Sequence, residues 1–152
     1  MAPDTNRLRL TIDAREENVA VARATVAAAC AHLAFTLPEV EELRIAASEA
    51  VSNAVLHAYE PGARGEVEVA IEIAEDAITV RVRDWGRGIA DPTEARRPEV
   101  STLEGHLGLG FAFMEAMSDE LEVESAVGEG TTVTLRKRAR GGERPAAPLA
   151  GD

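Results

Sequence analysis

The chain has 152 residues, of which 45% are apolar and 28% charged, and it carries a net charge of −11. That balance describes one globular domain of ordinary size. It excludes a bilayer span, because no apolar run approaches the roughly 20 residues required. The acidic surface repels phosphate backbones and excludes direct nucleic-acid binding.

The polar start Met1-Ala2-Pro3-Asp4-Thr5-Asn6 lacks the basic and apolar regions of a signal peptide, so a cytoplasmic location without membrane contact is expected. Arg7–Ile12 alternates polar and apolar, with Leu8, Leu10 and Ile12 on one face, as an amphipathic strand does. Asp13 followed by Glu16 has the form of a capping box. It predicts a helix over about 14–34, with Val19, Ala22, Val26, Cys30 and Leu33 along its buried stripe. Cys30 is the only cysteine. An apolar, alanine-rich setting makes it an inert core thiol.

Thr36-Leu37-Pro38-Glu39 starts a second helix, with Pro38 where a first turn tolerates it. The helix is expected to reach Ala58 and to end at Tyr59-Glu60-Pro61-Gly62. Glu66–Ile73 and Ala77–Arg83 alternate cleanly and flank a Glu75-Asp76 turn, which predicts an antiparallel hairpin. Residues 89–107 carry Pro92, Pro98 and charges with no period, the pattern of a lid or binding loop. Leu109–Met117 reads as a short helix. Glu120–Ser125 and Thr131–Lys137 form a last hairpin around Gly128-Glu129-Gly130. Basic residues Arg136, Lys137, Arg138, Arg140 and Arg144 gather near the end. Residues 139–152 read as a disordered tail, leaving one domain over 1–138. Alternating strands imply a sheet with one open face. The expected fold is a two-layer α/β sandwich, with a mixed, largely antiparallel sheet and helices on one side.

Four features carry chemistry. Glu49, Asn53 and His57 recur every fourth residue and share one helix face. Asn53 offers a neutral carboxamide oxygen, a suitable ligand for magnesium that keeps phosphate oxygens and waters. Glu49, one turn earlier, is placed to accept a proton. A solvated polar face explains the same spacing. Asp84-Trp85-Gly86-Arg87-Gly88 follows a strand. Its carboxylate suits an exocyclic amine such as that of adenine, and glycines allow close backbone approach; a tight Asp/Gly turn is the plainer reading. Gly105-His106-Leu107-Gly108-Leu109-Gly110 opens a helix, where N–H groups favour phosphate. It is neither a Rossmann fingerprint nor a Walker A loop. The only lysine is Lys137. Gly130-Thr131-Thr132 enters the final strand, either as a ligand contact or as a turn.

Together, Glu49-Ala50-Val51-Ser52-Asn53-Ala54 with His57-Ala58-Tyr59, Asp84-x-Gly86-x-Gly88, Gly108-x-Gly110-Phe111 and Gly130-Thr131 resemble the sequence boxes of the GHKL ATPase superfamily. Within it the chain is most similar to the anti-sigma-factor serine kinases (RsbW-like). The phrases Ser48–Glu60 and Glu94-Ala95-Arg96-Arg97-Pro98 carry that closer likeness. The resemblance implies ATP and Mg²⁺ as cofactors. Asp84 would bond the adenine amine, helped by Gly86, Gly88 and Thr131. Asn53 would hold magnesium, and His57, His106, Gly108 and Gly110 would lie near the phosphates under a lid at 89–107. Glu49 would be the general base for a protein serine or threonine. Arg23 would face two partners, a sigma factor and a STAS-domain anti-anti-sigma antagonist, and the protein would form a homodimer through its N-terminal region. Some relatives carry arginine where this chain has His106, a weaker and pH-dependent cation. A non-enzymatic, nucleotide-gated protein-binding module is therefore the alternative.

Overall fold

The computed structural model describes residues 4–95 and 105–140, with only the backbone of 105–108. Strand β1 is Asn6–Asp13, and a single 3₁₀ turn, Glu16–Asn18, leads into α1, Val19–Cys30. Helix α2 spans Leu37–His57, followed by β2, Glu66–Ala74, and β3, Ala77–Asp84. Short α3 is Pro92–Ala95, α4 is Gly105–Met117, and β4 and β5 are Glu120–Ala126 and Gly130–Arg138.

The first helix begins later than its expected start near Ala14. Asp13 remains in the sheet opposite Glu66, and its carbonyl accepts from the Asn18 side chain at 3.0 Å. Sheet pairing thus outcompetes the apparent capping box at Asp13 and Glu16. A real one sits at Thr36, whose hydroxyl accepts from the Glu39 N–H while the Glu39 carboxylate accepts from the Thr36 N–H. It fixes the start of α2, and Pro38 lies in the first turn, where its missing N–H costs nothing.

The five strands run in the order β1-β2-β3-β5-β4, and every pairing among them is antiparallel. Val67, Val69, Ile71 and Ile73 of β2, Ile78, Val80 and Val82 of β3, and Val133 and Leu135 of β5 point to one side. Helices α1, α2 and α4 cover that side, with Val26, Leu43, Val51, Phe111 and Met114 fully enclosed. The opposite face carries Glu68, Arg81, Arg83, Thr132 and Glu122. This is the two-layer α/β sandwich expected.

Two residues from the basic end are tied to the body, one of them buried and the other on its surface. Lys137 is buried against α2 and the end of α4. Arg140 pairs with Asp119 at 2.6 Å, and the Ala139 N–H donates to the Asp76 carbonyl. The remainder of the expected tail, 141–152, and the lid residues 96–104 lie outside the described residues.

Candidate functional site

A pocket opens between α2 and the ends of β3 and β5. Ala50, Ala54, Val82, Val133, Ile89 and Phe111 give it apolar walls, and small Ala50 and Ala54 leave room for a flat group. Asp84 stands within it at 6% exposure. One carboxylate oxygen, Oδ1, accepts from the Gly86 N–H at 3.0 Å and the Thr131 N–H at 3.2 Å. No described residue donates to Oδ2, so that oxygen is left to accept from a ligand. Burial pushes the Asp84 carboxyl above its ordinary value, against the opposing pull of the two backbone donors.

The glycines of this loop serve the protein's own packing. A Cβ on Gly86 would lie 2.0 Å from the Ala58 carbonyl oxygen, and one on Gly88 2.0 Å from that of Ala126. Gly88 also has φ +71°, which favours glycine. Gly130, φ +94°, lies so close to the Asp84 carbonyl that a Cβ would come within 2.1 Å. The glycines thus seat the loop on the end of α2 and on the last hairpin. Gly86 and Gly88 are expected from the sequence to approach a planar ligand; of the two, Gly88 alone lines the pocket. Ser125 completes the seat. Its hydroxyl accepts from the Ile89 N–H at 2.7 Å and lies 2.8 Å from the Thr131 hydroxyl. Sequence reasoning passed over Ser125, although the alternation of β4 puts it on the inner face beside the Gly130 turn.

The other end of the site is on α2. Glu49, Asn53 and His57 share its face as their spacing requires, and Asn53 and His57 line the pocket. Gly110 of α4 packs on this face. A Cβ there would lie 3.1 Å from Asn53 Nδ2 and 3.2 Å from Glu49 Oε2. Both side chains therefore converge on one point of α4. Asn53 Nδ2 is buried and finds no hydrogen-bond partner among the described residues. No described residue engages the Glu49 carboxylate. Gly110 is the sixth residue of α4. It lies past the first turn, whose N–H groups are free, so its contribution is the space that a side chain would fill. His106 and Gly108 fall in the first turn of α4, where only the backbone is described.

Arg23 is not part of this pocket. It lines a separate groove between α1 and α2, with Val19, Ser52, Val55 and Leu56. The groove borders the α2 residues adjacent to Asn53 and His57, so one helix presents different faces to the two sites.

Comparison with known proteins bears on this arrangement. A family model described as the histidine kinase-like ATPase domain matches residues 12–137. The chain belongs to that family. Within it, the chain is 44% identical over 135 residues to the anti-sigma F factor of Geobacillus kaustophilus (strain HTA426), spanning 87% of this chain and 92% of that protein. It is 37% identical over 135 residues to the anti-sigma F factor of Bacillus subtilis (strain 168), with the same shares covered. Among solved structures, the RsbU and RsbW domains of Rv1364c from Mycobacterium tuberculosis match with a TM-score of 0.64 and 27% identity. That match covers 88% of this chain and 32% of the other. A histidine kinase domain from Erythrobacter litoralis shares the fold with a TM-score of 0.55 at 21% identity, covering 80% of this chain and 61% of that one.

An ATPase domain implies ATP, and the residues fit it. A buried carboxylate with one unclaimed oxygen suits an exocyclic amine, and an apolar slot suits a base. The orphaned Asn53 amide beside Glu49 suits polar phosphate and metal ligands. A hard oxygen such as Asn53 Oδ1 fits magnesium, which binds through few protein ligands and keeps phosphate oxygens.

Proposed function

We propose that this chain is an ATP-dependent protein serine/threonine kinase that acts as an anti-sigma factor. It phosphorylates a STAS-domain anti-anti-sigma antagonist and otherwise holds a sigma factor. The anti-sigma F factor relatives support the partners, and the pocket supports the chemistry. One observation carries the reading: the Asp84 carboxylate is pinned through Oδ1, and the same helix that bounds its slot brings Glu49 and Asn53 together at Gly110. Ala58, the C-cap of α2, follows Glu49 by nine residue steps, which is about 14 Å at the helical rise of 1.5 Å per residue. That length suits a nucleotide lying along the helix with its base at Asp84 and its phosphates at Glu49.

Asp84 Oδ2 would accept the adenine amine, while Ala50, Ala54 and Phe111 exclude water from the ring. Magnesium, bound with the nucleotide, would neutralise phosphate charge, and Asn53 would hold it. Glu49 would take the proton of a partner's serine or threonine hydroxyl. The hydroxyl oxygen then bonds the γ-phosphorus, the bond from that phosphorus to the β-phosphate oxygen breaks, and ADP leaves. The phosphoserine adds nearly two negative charges opposite a chain of net charge −11, so repulsion favours release of the antagonist. The kinase is then free for the sigma factor, with Arg23 and its groove as a contact surface on a homodimer.

The test is intact mass spectrometry of a co-purifying STAS-domain protein before and after Mg-ATP. Gain of one phosphate, absent with Glu49→Ala, supports the kinase. An unchanged mass with ATP-dependent partner retention rejects the kinase in favour of a nucleotide-gated binder and directs attention to His106.

A further inference from the structure

The β2–β3 ladder is interrupted one residue short of the site. Val67 pairs with Asp84, and the register would next pair Glu66 with Trp85. That rung does not form. Glu66 stays paired with Asp13 of β1, and a side chain from the end of α2 enters the gap on the β3 side. The Tyr59 hydroxyl donates to the Glu66 carbonyl at 2.6 Å and accepts from the Trp85 N–H at 3.0 Å. A phenol has one proton to give and lone pairs to accept, so it relays the missing rung while holding the strands apart. The ring lies where Gly65 has no side chain; a Cβ there would fall 2.4 Å from it. Two further bonds fasten the same corner. The Arg87 N–H donates to the Ala58 carbonyl at 2.7 Å, and the Arg87 guanidinium reaches the Tyr59 carbonyl at 3.4 Å.

This corner sets where the loop after Asp84 goes. Had the ladder continued, Trp85 and Gly86 would follow β2. With the phenol between the strands, the chain turns toward α2, and the Gly86 N–H folds back onto Asp84 Oδ1. We propose that Tyr59 is a positioning residue for base recognition: its hydroxyl spreads β2 from β3 so that Asp84 presents one fixed oxygen to an exocyclic amine. The inference rests on the ATP-binding reading above. It adds a residue that touches no nucleotide yet controls the preference for a base carrying an amine there over one carrying a carbonyl oxygen, as adenine and guanine do.

The test compares wild type with Tyr59→Phe, which keeps the ring on Gly65 and removes only the relay. The chain has one tyrosine and one tryptophan, so Trp85 emission reports on this corner directly. Loss of two hydrogen bonds predicts Mg-ATP binding weaker by roughly 5- to 30-fold. A narrowed ATP-over-GTP preference and a shifted Trp85 emission are expected with it. Turnover at saturating ATP changes less than about twofold, because Glu49 and Asn53 lie further back on α2. A Phe variant that binds ATP as wild type does, or loses ATP and GTP affinity equally, overturns the proposal. If that variant does not fold, hydrogen exchange on the wild type decides instead. A protected Trp85 amide supports the relay, and one exchanging at the free-chain rate overturns it. A wild-type protein that binds no Mg-ATP sinks the nucleotide reading itself, a result separable from the failure of Tyr59 alone.

Discussion

Lys137 Nζ lies 2.7 Å from Glu42 Oε2, which joins the last strand to the second helix, and the same ammonium donates to the Met117 carbonyl at 3.1 Å. A cation at the C-terminus of α4 satisfies a carbonyl that the helix leaves free and complements its dipole. One residue thus ties the far end of α4 to α2, the two helices that meet again at Gly110. Lys137→Met keeps the apolar stem and removes the charge. Glu42 is 43% exposed at its side chain, so water screens the lost pair. The expected cost is about 1–3 kcal/mol in chemical denaturation. Lys137→Arg should not fully restore stability, because a planar fork does not fit a site built around a point charge. A Met variant as stable as wild type would show that the pair carries no net stabilisation.

Gly110 tests the convergence of Glu49 and Asn53. Gly110→Ala gains about 1 kcal/mol of helix propensity. Against that, the new methyl crowds Asn53 Nδ2 at 3.1 Å and Glu49 Oε2 at 3.2 Å. These effects oppose each other, so the melting temperature should move little. Phosphotransfer should fall more than about tenfold, because displacement of a catalytic group by even 1 Å is costly. Unchanged transfer with unchanged stability would place the chemistry elsewhere.

Much of this was legible in the sequence because it is local. Period-two alternation found the first three strands, the Gly128-Glu129-Gly130 turn marked the last hairpin, and the Thr36 start placed α2 with Glu49, Asn53 and His57 on one face. The boxes around Asp84 and Gly110 pointed to one ligand. Contacts that join distant segments were not legible. The roles of Tyr59, Ser125 and Lys137 depend on partners 26, 36 and 95 residues away. Lys137 sits among arginines and reads as part of a solvated basic end; only the register of β5 turns it inward. Asp13 and Glu16 had the spacing of a cap, but pairing with β2 keeps Asp13 in the sheet and Glu16 opens a 3₁₀ turn instead. Gly86 had approach to a ligand ring as its apparent purpose, and the fold uses it for close approach to Ala58; Gly130 makes its turn at φ +94° and packs on Asp84 as well.

Cys30 gives a pH-dependent prediction. Burial pushes its thiol from 9.0 up to about 11, opposed by the positive charge of Lys137. The folded state therefore holds this proton more tightly than the unfolded chain. Its contribution is complete below pH 9 and is lost as pH rises through the window from 9 to about 11. A difference of about 2 in pKa is worth about 2.7 kcal/mol at most. Cys30→Ala should lose less stability than wild type between those pH values, whatever it costs in packing at neutral pH. The native thiol should also resist a disulfide reagent until the protein unfolds. Equal alkaline losses in both proteins would show that Cys30 does not titrate in this way.

Asp84→Asn separates the fold from the ligand. The amide oxygen can keep both backbone donors, Gly86 and Thr131. Burial disfavours the native carboxylate and raises its pKa. A neutral amide escapes that cost, so the free protein should be as stable as wild type or more so at neutral pH. Nδ2 would then stand where Oδ2 stood and present a donor to an incoming amine donor. Mg-ATP binding should weaken by about 100-fold or more, from losing one charged hydrogen bond and facing two donors across the gap. The wild-type carboxyl protonates above the ordinary aspartate range, so its binding should decline as acid approaches that raised pKa from above. The Asn variant should lack that dependence. Calorimetric titration across pH reads both. If Asp84→Asn binds Mg-ATP as tightly as wild type, the base lies elsewhere, and the account of this pocket fails with it.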